Sequence, residues 1–441
     1  MTSLARVYGW KIAASVLSTL AIVAGACDGG PIYDPTPTPT GNATGGAGGM
    51  GSSSGGGGSA PVGPPLVAIS TITFSPDLSS RTDSIQFADK LSVDGAVDAT
   101  RTIELTAINS TLWASKTPGE MFLADAGTGQ LIKYALGADG KVAEAGKIGF
   151  DAFGVQAFYW TIVNVVSPTK AFLFDEITLQ GFTFNPTEMT ILSDFDVSAQ
   201  FNPTEGGTTY DVWREIQAIE VGGKFYSAFH YFNRTTAMLL PRSGMIVVDP
   251  SNDTITAVEQ PNCGGLHNSV LGKDGKIYSA SGVIPAGAHF AGIPGSNCIV
   301  RFDPATNKWD DNYNVDMGKL VGDGEFVGGM YRNASNPDAP VYVRHLIKAG
   351  VPAGLKNPLQ IAAAPLWETY KLDDLTNPVA ATKVEVPTTG GIIYPMEIGG
   401  KTYVSDADVA GGKSWMVDLS VDPPARALEV PGWGYYAVQF N

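Results

Sequence analysis

Basic residues are scarce in this sequence. Across 441 residues, 28 Lys and Arg face 43 Asp and Glu, a net charge of −15. A nucleic-acid binder needs a concentrated basic surface to meet phosphate, so no nucleic-acid partner is expected. Cysteine is rarer still, with three in the chain, which excludes a disulfide-framework miniprotein. Charged residues of both signs make up only 16%, and no long stretch carries the Ala/Glu/Lys/Leu pattern that extended helices need. The N-terminal apolar run, Ile12 to Ala26, is too short for a spanning helix. Enzyme motifs are also missing: there is no HExxH, no CxxC and no P-loop. The single GxSxG, Gly51 to Gly55, lies in a Gly/Ser stretch where a strained nucleophile elbow cannot form. No cofactor is implied.

What is present begins with a leader. Arg6 and Lys11 precede the apolar run, which has the length of a signal-peptide core and ends in Ala24-Gly25-Ala26-Cys27. Small residues before a cysteine are what a lipoprotein peptidase accepts, so residues 1–26 are expected to be removed and Cys27 to carry a lipid. Residues 27–65 then form a tether. It holds Pro35 to Pro39 in alternation with Thr, and the segment from Gly41 to Ser59 is more than half glycine. A coil of this kind reaches about 30–40 Å and cannot pack. With Cys27 committed to a lipid, Cys263 and Cys298 remain as an even pair in an oxidising compartment and are expected to form a disulfide.

The remainder, 66–441, has 53 Gly and 29 Pro in the whole chain to punctuate it, and reads as all-β: short alternating runs broken by Gly, Asp, Asn and Pro. The runs repeat. One element is strand, tight turn, strand: Trp213 to Ile219, Val221 to Lys224, Phe225 to Ala228. It returns at His267 to Ala280 and at Tyr394 to Val404, with weaker copies at Trp160 to Phe172 and Met330 to Tyr342 and the least regular at Phe74 to Phe87. A second element follows, a short strand ending in Asp or Asn and often Pro: Asn185-Pro186, Asp249-Pro250 and Asp303-Pro304, with Asp373 and Asp418 lacking the Pro. There Pro stops the strand and the Asx side chain caps the turn. The anchor aromatics Phe87, Phe122, Phe172, Tyr226, Tyr278, Tyr342 and Tyr403 recur at intervals of about 50 residues, the spacing of four-stranded propeller blades. Seven anchors predict a seven-bladed β-propeller, with six or eight blades as the alternatives. The terminal Tyr435 to Phe440 then reads as an inner strand that closes the ring with N-terminal strands.

Propeller strands run A to D from the axis outward and alternate in direction, so the starts of A and the ends of B share one rim. Offsets from the anchors put Asp89, Asp125, Asp175 with Glu176, His230, Ser281, His345 and Asp406 with Asp408 at the ends of B. They put Trp160, Trp213 with Arg214 and Glu215, His267 with Asn268, Tyr331 with Arg332, and Tyr394 at the starts of A. Asp175, Glu176, Trp213, Arg214, His230, His267, His345, Tyr394 and Asp406 are the ligand-binding candidates, because propeller pockets form near the axis. No catalytic residue and no metal site is assigned. Three histidines on one face would have to converge within bonding distance of an ion, and rim acids most often cap turns. Cys263 and Cys298 map to the same face of one blade, and their bridge would pin the long insertion that carries His289.

The Ala24 to Cys27 lipobox, the tether and the Asp/Asn-Pro repeats together resemble β-propeller lipoproteins of myxobacterial type, and are similar to lipoproteins associated with the siderophore myxochelin. The resemblance implies a lipid-anchored binding protein of the bacterial cell envelope, facing the periplasm or on the outer-membrane surface, that handles a small molecule such as a ferric siderophore. It carries no catalytic residue over. An acidic chain would need local Arg214, Arg332 or Arg344 to attract an anionic ferric catecholate. The competing readings are a rim-site lyase or hydrolase using Asp175, Glu176, His230 and His345, favoured by a raised carboxylate pKa, and a scaffold that binds a protein partner without a small ligand.

Overall fold

Runs of β-branched and aromatic residues, each stopped by a turn-forming residue, fold into seven antiparallel sheets that form the blades of a β-propeller. The computed structural model describes residues 67–75, 80–107, 110–158, 161–215, 218–233, 235–236, 238–292, 296–321, 327–332, 337–346, 367–386, 395–408 and 411–440. The leader, Cys27, the tether, Trp160 and Tyr394 lie outside the described residues.

Blades II to VII take their strands consecutively, and blade II is Thr111–Ala114, Glu120–Asp125, Gln130–Leu136 and Val142–Gly149. Blade III is Ile162–Ser167, Lys170–Asp175, Gln180–Asn185 and Thr190–Asp196. Blade IV has a broken first strand, Asp211–Arg214 continued by Ile219–Val221, then Lys224–Asn233, Met238–Asp249 and Thr254–Gln260. Blade V is Leu266–Leu271, Ile277–Ser281, Cys298–Asp303 and Lys308–Asp316. Blade VI is Val327–Tyr331, Val341–Leu346, Trp367–Leu372 and Ala381–Val384, and blade VII is Met396–Ile398, Lys401–Asp408, Lys413–Asp418 and Ala425–Pro431. First strands touch around the axis between blades I and II, II and III, IV and V, V and VI, and VII and I. Blade I is built from both ends of the chain: Trp433–Gln439 is its inner strand and pairs with Val67–Phe74, as the terminal aromatic run predicts.

The two sequence elements meet inside blades IV, V and VII. The lysine that opens strand B pairs with the aspartate that closes strand C: Lys224 with Asp249 at 2.9 Å, Lys276 with Asp303 at 2.5 Å and Lys401 with Asp418 at 2.9 Å. Such surface pairs stabilise little; they mark register. The same acids cap the next turn, Asp249 Oδ1 accepting from the Ser251 amide and Asp303 Oδ1 from that of Ala305. The turn carbonyls then accept a hydrogen bond from the preceding blade. Lys133 donates to Pro186 O, Lys170 to Pro250 O, Tyr226 to Pro304 O, Tyr313 to Leu375 O and Tyr342 to Leu419 O.

Cys263 and Cys298 form a disulfide, the first just before strand A of blade V and the second opening its strand C. Two expectations need correction. Phe87 lies in the third strand of blade I, Arg81–Ala88, so Asp89 is an exposed residue at the rim opposite the ends of B. Tyr331 pairs with Tyr342 at the turn end of strand A in blade VI, which puts Arg332 on that opposite rim too. Both errors are of offset: blade I lacks a sequential strand A, and in blade VI a long connection separates Tyr331 from its partner Tyr342, where blade IV turns between Val221 and Lys224.

Ring closure makes the terminal strand a stability determinant. Deleting residues 433–441 should lower the thermal midpoint by more than 10 °C or leave the chain insoluble, since it removes an entire inner strand; calorimetry beside the full chain checks this, and an unchanged midpoint would refute the closure.

Candidate functional site

On the rim where strands B end and strands A begin, blades III, IV and V bring their polar residues together. Blade III ends strand B in Asp175 and continues to Glu176, and both are buried. The first segment of strand A in blade IV, Asp211–Arg214, ends in Trp213 and Arg214, and Trp213 is the register partner of His230. Arg214 is fully buried; its Nη2 donates to Phe174 O at 3.3 Å, its Nε stands 3.6 Å from Glu176 Oε2, and the guanidinium lies over the Phe174 ring. Burial pushes the Arg214 pKa down to about 10 against the attraction of Glu176 and Asp175. Asp175 is a turn cap, accepting at Oδ2 from the amide and hydroxyl of Thr178. Burial raises its pKa, opposed by those hydrogen bonds and by Arg214.

The seam between blades IV and V is less charged. His230 is buried, with Nδ1 2.8 Å from Leu266 O. That contact places the proton on Nδ1 and leaves Nε2 as an acceptor, and Nε2 has no hydrogen-bond partner among the described residues. The Trp213 ring stacks on His230 at 6.2 Å, and the His267 ring lies 6.1 Å from it on the other side of the seam. Burial, then the neighbouring His267, pushes the His230 pKa down to about 3; burial pushes His267 to about 4 despite its hydrogen bond with Asn268. Both rings are neutral at pH 7. Glu215, next along strand A, crosses the same seam. Its Oε1 accepts from the Ser269 amide at 2.9 Å, while Oε2 is buried with no hydrogen-bond partner among the described residues. Burial drives its pKa up to about 8, so at neutral pH it is a neutral acid that can donate. A neutral donor and a neutral acceptor along one seam can bind a hydroxyl group or exchange a proton with it.

Six of the nine candidates thus lie on one arc: Asp175, Glu176, Trp213, Arg214, His230 and His267. Two do not join it. His345 is buried in blade VI with Nδ1 3.9 Å from Glu368 and its ring edge-on to Tyr370. Asp406 is buried in blade VII and held by two donors of Arg426, whose guanidinium covers Trp415. Tyr394 is outside the described residues. Among the described residues no three His, Cys, Asp or Glu side chains group as metal ligands would. Glu215 was on the predicted rim but not among the nine; the signal for it is an acid placed directly after Trp-Arg in an inner strand, where an apolar residue would pack. The helix Val283–Phe290, which the insertion folds into, lies against Trp213, Phe232 and Leu239 of blade IV. Nothing in its composition predicts that position.

No protein-family model matches the chain, and no curated protein matches its sequence. Solved structures do match. A periplasmic gluconolactonase from Pseudomonas aeruginosa aligns with a TM-score of 0.50 at 13% identity, over 85% of this chain and 100% of that one. A hypothetical selenium-binding protein from Sulfolobus tokodaii aligns with a TM-score of 0.50 at 10% identity, over 86% and 93%. AztD from Citrobacter koseri aligns at 12% identity with a TM-score of 0.42, over 85% and 97%. At such identities the first two show the fold and nothing further.

The titrations of this seam oppose each other. Glu215 has a folded pKa above its ordinary value, so its stabilisation is full below about 4.5 and is lost as pH rises through about 8. The two histidines have depressed pKa values, so theirs is full above about 6.5 and is lost as pH falls toward 4 and 3. Stability should therefore peak near pH 6.5 and fall on the order of 2 kcal/mol by pH 8. Glu215→Gln should flatten the alkaline fall and leave the acid side in place, measured as thermal midpoint against pH.

Proposed function

We propose that this chain is an extracytoplasmic binding propeller, lipid-anchored through Cys27 in the bacterial cell envelope, whose seam between blades IV and V takes a small uncharged ligand rich in hydroxyl groups. The observation that carries the reading is the pair of buried atoms Glu215 Oε2 and His230 Nε2, both without a hydrogen-bond partner among the described residues, one a donor and one an acceptor at neutral pH. Native proteins rarely leave such atoms unmatched, and a hydroxyl offers both complements.

The ferric siderophore implied by the resemblance fits the charge less well. Arg214 faces Glu176 and Asp175, Arg344 donates to Thr369, and Arg332 is on the far rim. A siderophore role in iron uptake is the narrower form of the same proposal. A lyase or hydrolase is the second reading, favoured by a protonated Glu215 and neutral imidazoles along the same seam between blades IV and V. A scaffold for a protein partner is what remains if no small ligand binds.

A thermal-shift screen of the chain without its leader, against neutral sugars and polyols, ferric and iron-free siderophores, and divalent metals, tests this. A ligand at 100 times its Kd adds about 2.7 kcal/mol. A shift with a neutral polyol or sugar, lost in Glu215→Gln and His230→Phe, is expected; a shift with ferric siderophores alone would replace the ligand class, and turnover of the sugar would select the enzyme. Silence across the panel would overturn small-molecule binding. Mass spectrometry of the membrane-extracted protein should find acylated Cys27, and an unmodified terminus elsewhere would refute the anchor.

A further inference from the structure

His230 is buried although it lies near the rim where ligands would enter, and the cover is identifiable. After strand Ile277–Ser281 the chain enters the helix Val283–Phe290, whose Ile284 and Ala288 pack on Phe232 and Leu239. These two residues belong to the part of the blade IV hairpin nearest that rim, and Val283 and Trp213 complete the contact. The helix also adjoins strand A of blade VI, so it crosses from blade IV to blade VI over blade V.

Two glycines shape its seat. At Gly265, with φ +71°, an added Cβ would meet Pro285 Cγ at 2.1 Å; at Gly282 it would meet His267 Cβ at 2.7 Å. The first turn of the helix therefore rests directly on the start of strand A, against the residue that faces His230. The disulfide then limits its freedom. It ties the chain before strand A to the first residue of strand C, so the connection that carries the helix begins and ends at one fixed corner of blade V. Between the fixed ends stand Gly282, the residue before the helix, and Gly292, with φ +75° and open space around it.

We infer that the helix Val283–Phe290 is a lid over the seam between blades IV and V, strapped by Cys263–Cys298, which a ligand must lift to reach His230 and Glu215. This deepens the binding reading and rests on it for its purpose, but its test needs no ligand.

The histidines are the reporters. His289 is exposed on the helix, His267 is half-buried beneath it and His230 is fully buried. Both covered rings are neutral at pH 7, so their rates of carbethoxylation by diethyl pyrocarbonate report access and not protonation. The full mature chain is labelled and mapped by mass spectrometry, with hydrogen exchange in blade I (67–74 and 433–439) as the measure of general loosening. Ile284→Asp undocks the apolar face, Gly265→Ala crowds the seat, and Cys263→Ser with Cys298→Ser removes the strap. Each should raise labelling of His230 and His267 by roughly tenfold or more, as expected when a local opening becomes easier, with His289 and blade I unchanged. Unchanged His230 labelling in all three, or a rise matched by faster exchange in blade I, would overturn the lid. Binding found with His230 equally protected throughout would remove the lid and keep the site; labelling that rises with no ligand found would do the reverse.

Discussion

Strand Trp433–Gln439 pairs with Val67–Phe74 from the opposite end of the chain, and on that pairing the ring rests. A blade packs only on its two neighbours, so an open ring would leave two apolar faces in water at the cost that burial otherwise recovers. The closing strand prevents this on several sides at once. Phe440 meets Phe87 edge-on at 5.3 Å, the Phe440 carbonyl accepts from the Gly119 amide of blade II, and Gln439 accepts from the Gly399 amide of blade VII. At Gly434 an added Cβ would stand 3.0 to 3.2 Å from Met416, Val430 and Ile69, so the strand slots tightly between blades VII and I. Once the ring is shut, the inner strands cannot shift singly, and the arc at the rim of blades III to V is held by its frame.

The same economy explains why the repeat is visible at all. Blades III to VII each offer a turn carbonyl after strand C, and the preceding blade answers it with a Lys or Tyr. A strand may vary in most of its residues, but it must keep the Asx that shapes the turn and an anchor that reaches across. Those are the positions from which the blades can be read in an otherwise divergent sequence.

Legibility follows from locality. Turns such as Asp249-Pro250-Ser251 and Gly222-Gly223-Lys224 are set by a few adjacent residues, so they predict strand ends well. The disulfide was legible because both cysteines flank strands of one blade. What failed was counting across irregular spacing. Blade I borrows its inner strand from the far terminus, so Phe87 carried no valid offset and Asp89 fell on the wrong rim. Blade VI joins strands A and B by a long connection, so counting back from Tyr342 put Arg332 on the wrong rim as well. Partners fixed by tertiary contact were beyond reach: nothing near Asp406 announces Arg426, and nothing near His230 announces Leu266 O.

The core is unevenly divided, and the division bears on function. One continuous apolar cluster runs through blades VII, I, II and part of III, joining Met396 and Tyr403 to Phe87, Phe122 and Phe182. Blades III to VI instead hold separate clusters, one of 13 buried residues across blades III and IV, one of 12 across blades V and VI and several smaller ones, with Arg214, Glu215, His230 and Ser269 also buried there. An unpaired buried polar atom costs about 1–3 kcal/mol, and a buried ion pair such as Arg214 with Glu176 is often no better than apolar packing. An apolar seam like those of blades I and II would hold blades IV and V together at less cost. Stability alone therefore does not account for the polar seam. It is affordable because the closing half of the ring supplies the cohesion, and it leaves Glu215 Oε2 and His230 Nε2 without a hydrogen-bond partner among the described residues.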